Sequence, residues 1–190
     1  MAADPLTAPA PHQLPSPYGE IIETVYRYRF LADIHVSRLY NLVPGAAREA
    51  LARLSASGYL AAIRKPSLAP GGPQIVYALA QRGANYIASR WGMDREKVRW
   101  RKYHNYVGLL FVDHRLAVND VRIAFAVGAC RCCYTMEGWR YELPIREDVD
   151  DPDEKAPPLV LRPDAYVTLR VSQRRLHLFL EVDMGTESHI

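Results

Sequence analysis

Leu161-Arg162-Pro163-Asp164-Ala165-Tyr166-Val167-Thr168-Leu169 and, after eight intervening residues, Leu178-Phe179-Leu180-Glu181-Val182-Asp183 read as two apolar strands. A Pro-Asp pair opens the first and an acidic triplet closes the second. Side chains alternate along a strand, so Glu181 and Asp183 share one face while Val182 takes the other. Carboxylates at the ends of adjacent strands form a hard-oxygen site suited to Mg²⁺, which binds through one or two carboxylates and keeps several waters. Acids at strand ends are commonly solvated or salt-bridged surface. Here both runs are apolar before their acids, which points to a buried sheet, and a buried carboxylate needs a partner such as a cation.

Upstream of this pair, Tyr103 to about Gly128 reads as one long helix, with Tyr106, Leu109, Leu110, Leu116, Ala117, Val121 and Ala124 on its apolar stripe. Asp113 and Asp120 interrupt the stripe seven residues apart, nearly on one side of the helix. His114, Arg115 and Arg122 are local partners for them, so Asp113 is expected to be structural and Asp120 is kept as a third candidate metal ligand. Gly138-Trp139-Arg140-Tyr141-Glu142-Leu143-Pro144 alternates like a strand. Glu147 to Glu154 is a Pro-containing acidic loop without the alternating ligands and central Gly of a calcium-binding loop, and is expected to be solvated.

The N-terminal half follows another pattern. Residues 1–16 are a Pro/Ala-rich tail expected to be disordered, because repeated proline removes backbone donors. Ile21, Ile22, Val25, Tyr26 and Phe30 give a first helix over Gly19–Phe30, and Ala32–Tyr40 a second that turns Ile34, Val36 and Leu39 inward. Pro44 opens a third, whose stripe is Ala47, Ala50, Leu51 and Leu54 and whose terminator is Gly58. Two strands follow, Tyr59–Arg64 and Gln74–Leu79, around a Pro/Gly-rich loop. Trp91–Lys102 interleaves aromatics with cations and either tracks phosphates or seals a domain seam with its tryptophans.

The net charge of +3 is unevenly spread. Residues 1–104 carry 14 Lys/Arg against 7 Asp/Glu, a net +7, and residues 105–190 carry 10 against 14, a net −4. A polyanion partner held by the first half only would explain this. No run approaches a membrane span, and the three cysteines, Cys130, Cys132 and Cys133, are crowded and odd in number. Both features suit a reducing, cytoplasmic setting, with the thiols incidental rather than zinc ligands.

Three helices followed by a hairpin resemble a winged helix-turn-helix domain over residues 18–91. That resemblance implies double-stranded DNA as partner, with Arg48 and Arg53 of the third helix in the major groove, Arg64, Lys65 and Gln74 on the wing, and Arg38 added to the DNA-facing set. The alternative is that these arginines only solvate the outer face of a packed helix. Helix, strand, strand with Pro-Asp and strand with Glu-x-Asp resemble the front of the PD-(D/E)xK nuclease core. By that likeness Asp164 and Glu181 hold Mg²⁺, and Asp183 stands where the catalytic Lys is expected, leaving Arg162 or a partner chain to supply the cation. The chain stops before the elements that complete such a core, so the module is expected to be minimal or truncated.

Both pieces occur together in the bacterial replication-relaxation proteins, associated with plasmid replication and relaxation. This chain resembles them in Tyr28-Arg29-Phe30-Leu31, in His114-Arg115-Leu116-Ala117-Val118-Asn119-Asp120-Val121-Arg122, in Trp139 with Glu142, in Arg162-Pro163-Asp164, and in Phe179 through Glu187. The resulting expectation is an α+β protein with a tail at 1–16, a winged helix-turn-helix at 17–91, a connector at 92–102 and a PD-(D/E)xK-like module at 103–190. Its catalytic set would be Asp164, Glu181 and Asp183, and its metal ligands Asp164, Glu181 and Asp120. Function is expected to be DNA binding on plasmids or other mobile elements, with Mg²⁺-dependent nicking as an added activity. The rival is a non-enzymatic regulator or adaptor whose second module pairs with a second copy or another protein.

Overall fold

The computed structural model describes residues 14–66, 74–129, 131–141, 145–147 and 159–185. Most of the expected tail, the hairpin tip at 67–73, Cys130, Glu142 to Pro144, most of the acidic loop and the residues from Thr186 onward lie outside these. The chain is mixed helix and sheet, the α+β class expected. It forms two compact units, residues 1–119 and 120–190, so the division falls inside the longest helix. The segment expected as a connector, 92–102, belongs to the first unit, where Val98 and Trp100 are buried.

The first unit opens with α1 (Tyr18–Tyr28), whose buried Ile21, Ile22, Val25 and Tyr28 fall on one helical face. It ends because Arg29 adopts a left-handed backbone at φ 72°. Phe30 then enters the core, and β1 (Leu31–Ala32) leads into α2 (Asp33–Tyr40), which stops at Asn41 at φ 51°. Pro44 starts α3 (Pro44–Ala56), which buries Ala47, Ala50, Leu51 and Leu54 as its spacing requires. β2 (Leu60–Lys65) and β3 (Gln74–Leu79) pair antiparallel, and β1 joins the other side of β3, giving the order β1-β3-β2. α4 (Gln81–Arg90) follows without a loop, and its Gly83 passes so close to the start of β2 that a Cβ would meet the Tyr59 carbonyl oxygen.

Two expectations in this unit are corrected. Ile34 is 41 % exposed, whereas His35 and Val36 are buried. The cause is a polar contact at the start of α2, where the Ala32 amide donates to His35 Nδ1 at 3.1 Å and turns the imidazole inward. The long helix begins not at Tyr103 but at Leu109, as α5 (Leu109–Ala129). Residues 102–105 form a 3-10 turn tied down by Asn105, which donates to the Leu79 carbonyl at 2.9 Å and accepts from Trp100 Nε1. Tyr106 and Leu110 therefore stay exposed, at 72 % and 77 %.

The first part of α5 completes this unit's core. Val112 and Leu116 pack on Phe30, Val76 and Ala78. Asn119 is fully buried and its Nδ2 donates to the carbonyls of Tyr28 at 3.1 Å and Phe30 at 2.7 Å. These carbonyls lie where the break at Arg29 ends α1, and helix ends leave such groups needing partners. Arg29 is itself held by donating to the His104 carbonyl and by lying over the Phe111 ring.

The second unit contains the remainder of α5 and β4 (Tyr134–Tyr141), β5 (Ile145–Glu147), β6 (Leu159–Leu161), β7 (Ala165–Val171) and β8 (Arg174–Leu180). Its main sheet runs β4-β7-β8, all antiparallel, with β5-β6 as a separate pair. Ala165, Val167 and Leu169 alternate inward on β7. Arg122 of α5 donates to the Tyr141 hydroxyl at 2.9 Å and lies over the rings of Trp139 and Tyr141. A bulge between Met136 and Gly138 sets Glu137 apart, and it accepts from Arg170 of β7 and, at 2.7 Å, from Arg175 of β8.

Replacing Asn119 by Leu keeps the branched shape but strands two carbonyls, so chemical denaturation should show a loss of about 3 kcal/mol. Arg175, and after it Arg170, hold the Glu137 carboxyl below the usual carboxylate range. A lowered folded pKa means that its stabilising effect is complete above the unfolded value and disappears as pH falls through the folded one. An NMR titration should place the Glu137 midpoint below that of an ordinary glutamate, and Arg175→Gln should move it upward.

Candidate nucleic-acid interface and strand-end carboxylates

Because α3 buries one stripe, the opposite side is fixed: Gly45, Ala46, Arg48, Glu49, Ala52 and Ala56 are exposed. The Arg48 side chain is 71 % exposed and its Nε lies 3.1 Å from Asp33 Oδ2 at the start of α2. Arg53 reaches back to Glu49 at 3.9 Å and lies over the Tyr18 ring. Arg38 is exposed on α2 and Arg64 on β2. Tyr77 is buried near Asp33; burial, and then the Asp33 charge, push its phenol above its ordinary value. The face thus offers cations at the edge of small side chains that let a helix backbone approach a partner closely. Sequence spacing alone indicated the arginines; the small residues between them were legible as positions off the stripe but carried no signal of their own.

The residues expected on a wing divide. Lys65 forms an ion pair with Asp113 of α5, and its Nζ donates to Gln74 Oε1 at 3.4 Å. With side-chain exposures of 21 % and 28 %, this pair is turned into the unit rather than out of it. Asp113 is structural, as expected, but its partner is Lys65 rather than a neighbour on its own helix. Arg64, next to Lys65, projects outward by strand alternation.

At the second unit's sheet, the pairing of Ala165 with Leu180 brings Asp164 and Glu181 to adjacent positions at one end. Asp164 Oδ2 accepts the Val182 amide at 2.7 Å, which fixes its carboxylate against the chain leaving β8. Asp183 is turned back on its own chain, accepting the Gly185 amide at 2.7 Å. Asp120 is exposed on α5. Among the described residues, no three His, Cys, Asp or Glu side chains gather as a metal site, so neither Asp164, Glu181 and Asp183 nor Asp164, Glu181 and Asp120 forms a closed ligand set. Asp164 and Glu181 alone still meet the one-or-two-carboxylate requirement of Mg²⁺. Arg162 is exposed two residues before Asp164.

Compared with known protein families, residues 22–190 match the replication-relaxation family model. The chain belongs to the replication-relaxation family. Membership suggests a role in plasmid replication or relaxation. Neither the curated proteins nor the solved structures include a match to this chain. In this replication-relaxation protein, the segments that carried the resemblance are joined within each unit: Asn119 binds the backbone of Tyr28 and Phe30, and Arg122 binds Tyr141 and covers Trp139. No described helix is long and apolar enough to cross a membrane.

The placement of Lys65 separates it from Arg64 experimentally. Lys65→Ala leaves the Asp113 carboxylate without its cation and should lower stability by about 1–3 kcal/mol in urea denaturation. Arg64→Ala should stay within about 0.5 kcal/mol of the parent protein in the same measurement.

Proposed function

We infer that this protein binds duplex DNA of plasmids or related mobile elements through its first unit, used as a winged helix-turn-helix. α3 would enter the major groove, with Arg48 and Arg53 on base edges or phosphates, and Arg38 and Arg64 on the flanking backbone. The observation that carries this reading is the outer face of α3, where exposed arginine stands among Gly45, Ala46, Ala52 and Ala56. Small side chains allow close approach, and an alanine methyl suits contact with a thymine methyl. The net +7 of residues 1–104 supplies the attraction to phosphate. Lys65 is left out of the contact set, because its charge is committed to Asp113.

The juxtaposition of Asp164 and Glu181 favours a second activity, metal-dependent nicking by the other unit. Bound there, Mg²⁺ would act as a Lewis acid on the phosphodiester and lower the pKa of a coordinated water. Asp164 and Glu181 would hold the ion. The family-like position of the catalytic Lys holds Asp183, so Arg162 is the side chain assigned to the developing negative charge.

Duplex affinity should fall steeply between 50 mM and 200 mM salt, by about tenfold or more for even a few phosphate contacts. Arg48→Ala with Arg53→Ala should weaken binding by about 1–3 kcal/mol for each arginine that reaches a base edge. Equal affinity at low and high salt contradicts this reading. For nicking, a supercoiled-plasmid assay with Mg²⁺ or Mn²⁺ should show conversion that disappears in both Asp164→Ala and Glu181→Ala. Conversion that persists in both removes this site from the chemistry.

A further inference from the structure

The sheet β4-β7-β8 has two dissimilar faces. Ala165, Val167 and Leu169 are buried on one. On the other, cross-strand register aligns Arg140, Tyr166 and Phe179 in one row and Gly138, Thr168 and His177 in the next. Phe179 is 62 % exposed. The Tyr166 ring lies 5.4 Å from Phe179 and stacks on His177 at 5.8 Å, 20° from parallel. Among the described residues, Tyr166 and Phe179 lie on the side of the sheet opposite the buried Ala165, Val167 and Leu169, so the core those residues form does not account for them.

Beside these rings lies a hollow of about 330 Å³. Its floor is open because residue 138 is glycine. Space does not demand glycine there, since a Cβ would sit 3.8 Å from Thr168, an ordinary contact, and Gly138 is not among the residues at positive φ.

The charge on this face is cationic although residues 105–190 are net negative. Seven of the 14 acids in that half fall within residues 142–154, whereas this face of the described strands carries Arg140, Arg170 and Arg175 against Glu137. Glu137 binds one edge of Arg170 and of Arg175, yet these side chains remain 54 % and 56 % exposed. Their guanidinium groups are thereby fixed in orientation with other N–H groups turned to solvent, a preorganised pair for phosphate oxygens.

We propose that this sheet face binds single-stranded DNA. Bases stack on Phe179 and Tyr166, one base enters the hollow over Gly138, and Arg140, Arg170 and Arg175 take the phosphates. Exposed rings require unstacked bases, which a duplex does not offer, and stacking platforms flanked by cations are the usual means of holding single strands. The choice of DNA over RNA rests on the duplex-DNA reading above; the single-strand chemistry does not.

The test uses the full chain and fluorescence anisotropy with a labelled oligothymidylate of about ten nucleotides, within the usual site size, alongside a labelled duplex. Phe179→Ala should weaken oligothymidylate binding about 5- to 160-fold, the range for removing one stacking ring, and Phe179→Trp should retain it. Gly138→Val, which suits a strand and fills the hollow, should weaken it as well, with circular dichroism unchanged in all three variants. Duplex affinity should be untouched by these changes and should fall in Arg48→Ala/Arg53→Ala, which should leave oligothymidylate binding intact. No oligothymidylate binding at low salt, or equal binding by the parent, Phe179→Ala and Gly138→Val, overturns the proposal. Tighter binding of oligouridylate overturns the assignment to DNA. Intact single-strand binding without duplex binding would instead contradict the winged-helix reading and leave this one standing.

Discussion

Two hydrogen bonds from one buried amide hold the first unit in register. Arg29 breaks α1 with a left-handed backbone, and the carbonyls of Tyr28 and Phe30 on either side of that break are met by Asn119, 91 and 89 residues away in sequence. Without that donor the break would leave buried acceptors unmet, at a cost comparable to a sizeable part of a small domain's stability. With it, Phe30 and Leu31 are committed to the core, β1 lines up on β3, and α2 starts where α3 can be presented on the surface. The DNA-facing geometry inferred for α3 therefore rests on a hydrogen-bonding residue of α5.

This explains why the segments that resemble the family are separated in sequence. Tyr28-Arg29-Phe30-Leu31 and the stretch around Asn119 are two halves of one junction, while Arg122, in the same stretch, locks Trp139 and Tyr141 in the other unit. In these two stretches the signature residues Asn119 and Arg122 are architectural. Side chains suited to nucleic-acid contact lie on the exposed side of α3 and on the open face of the β4-β7-β8 sheet.

Much of the fold was legible because it follows periodicity. The stripes of α1 and α3 and the hairpin strands come from local apolar spacing, and the buried positions fall where that spacing puts them. What failed depended on single polar contacts. Ile34 faces solvent because His35 is recruited by the Ala32 amide, and the helix expected from Tyr103 waits until Leu109 because Asn105 is committed to Leu79 and Trp100. In the candidate sites the same limit applies. Arg64 and Lys65 are adjacent cations that no sequence pattern distinguishes, yet Asp113 takes one of them. The pairing of Asp164 with Glu181 was readable from strand ends, whereas the backbone contacts that hold Asp164 and turn Asp183 away were not.

Contact between α3 and duplex DNA is the central functional claim, and site-specific crosslinking reads it most directly. A photoreactive phenylalanine analogue introduced at Ala52, in the middle of the exposed face, should crosslink to plasmid duplex on irradiation, with yield falling as salt rises. A protein that binds the duplex and crosslinks from other positions but not from residue 52 would contradict it.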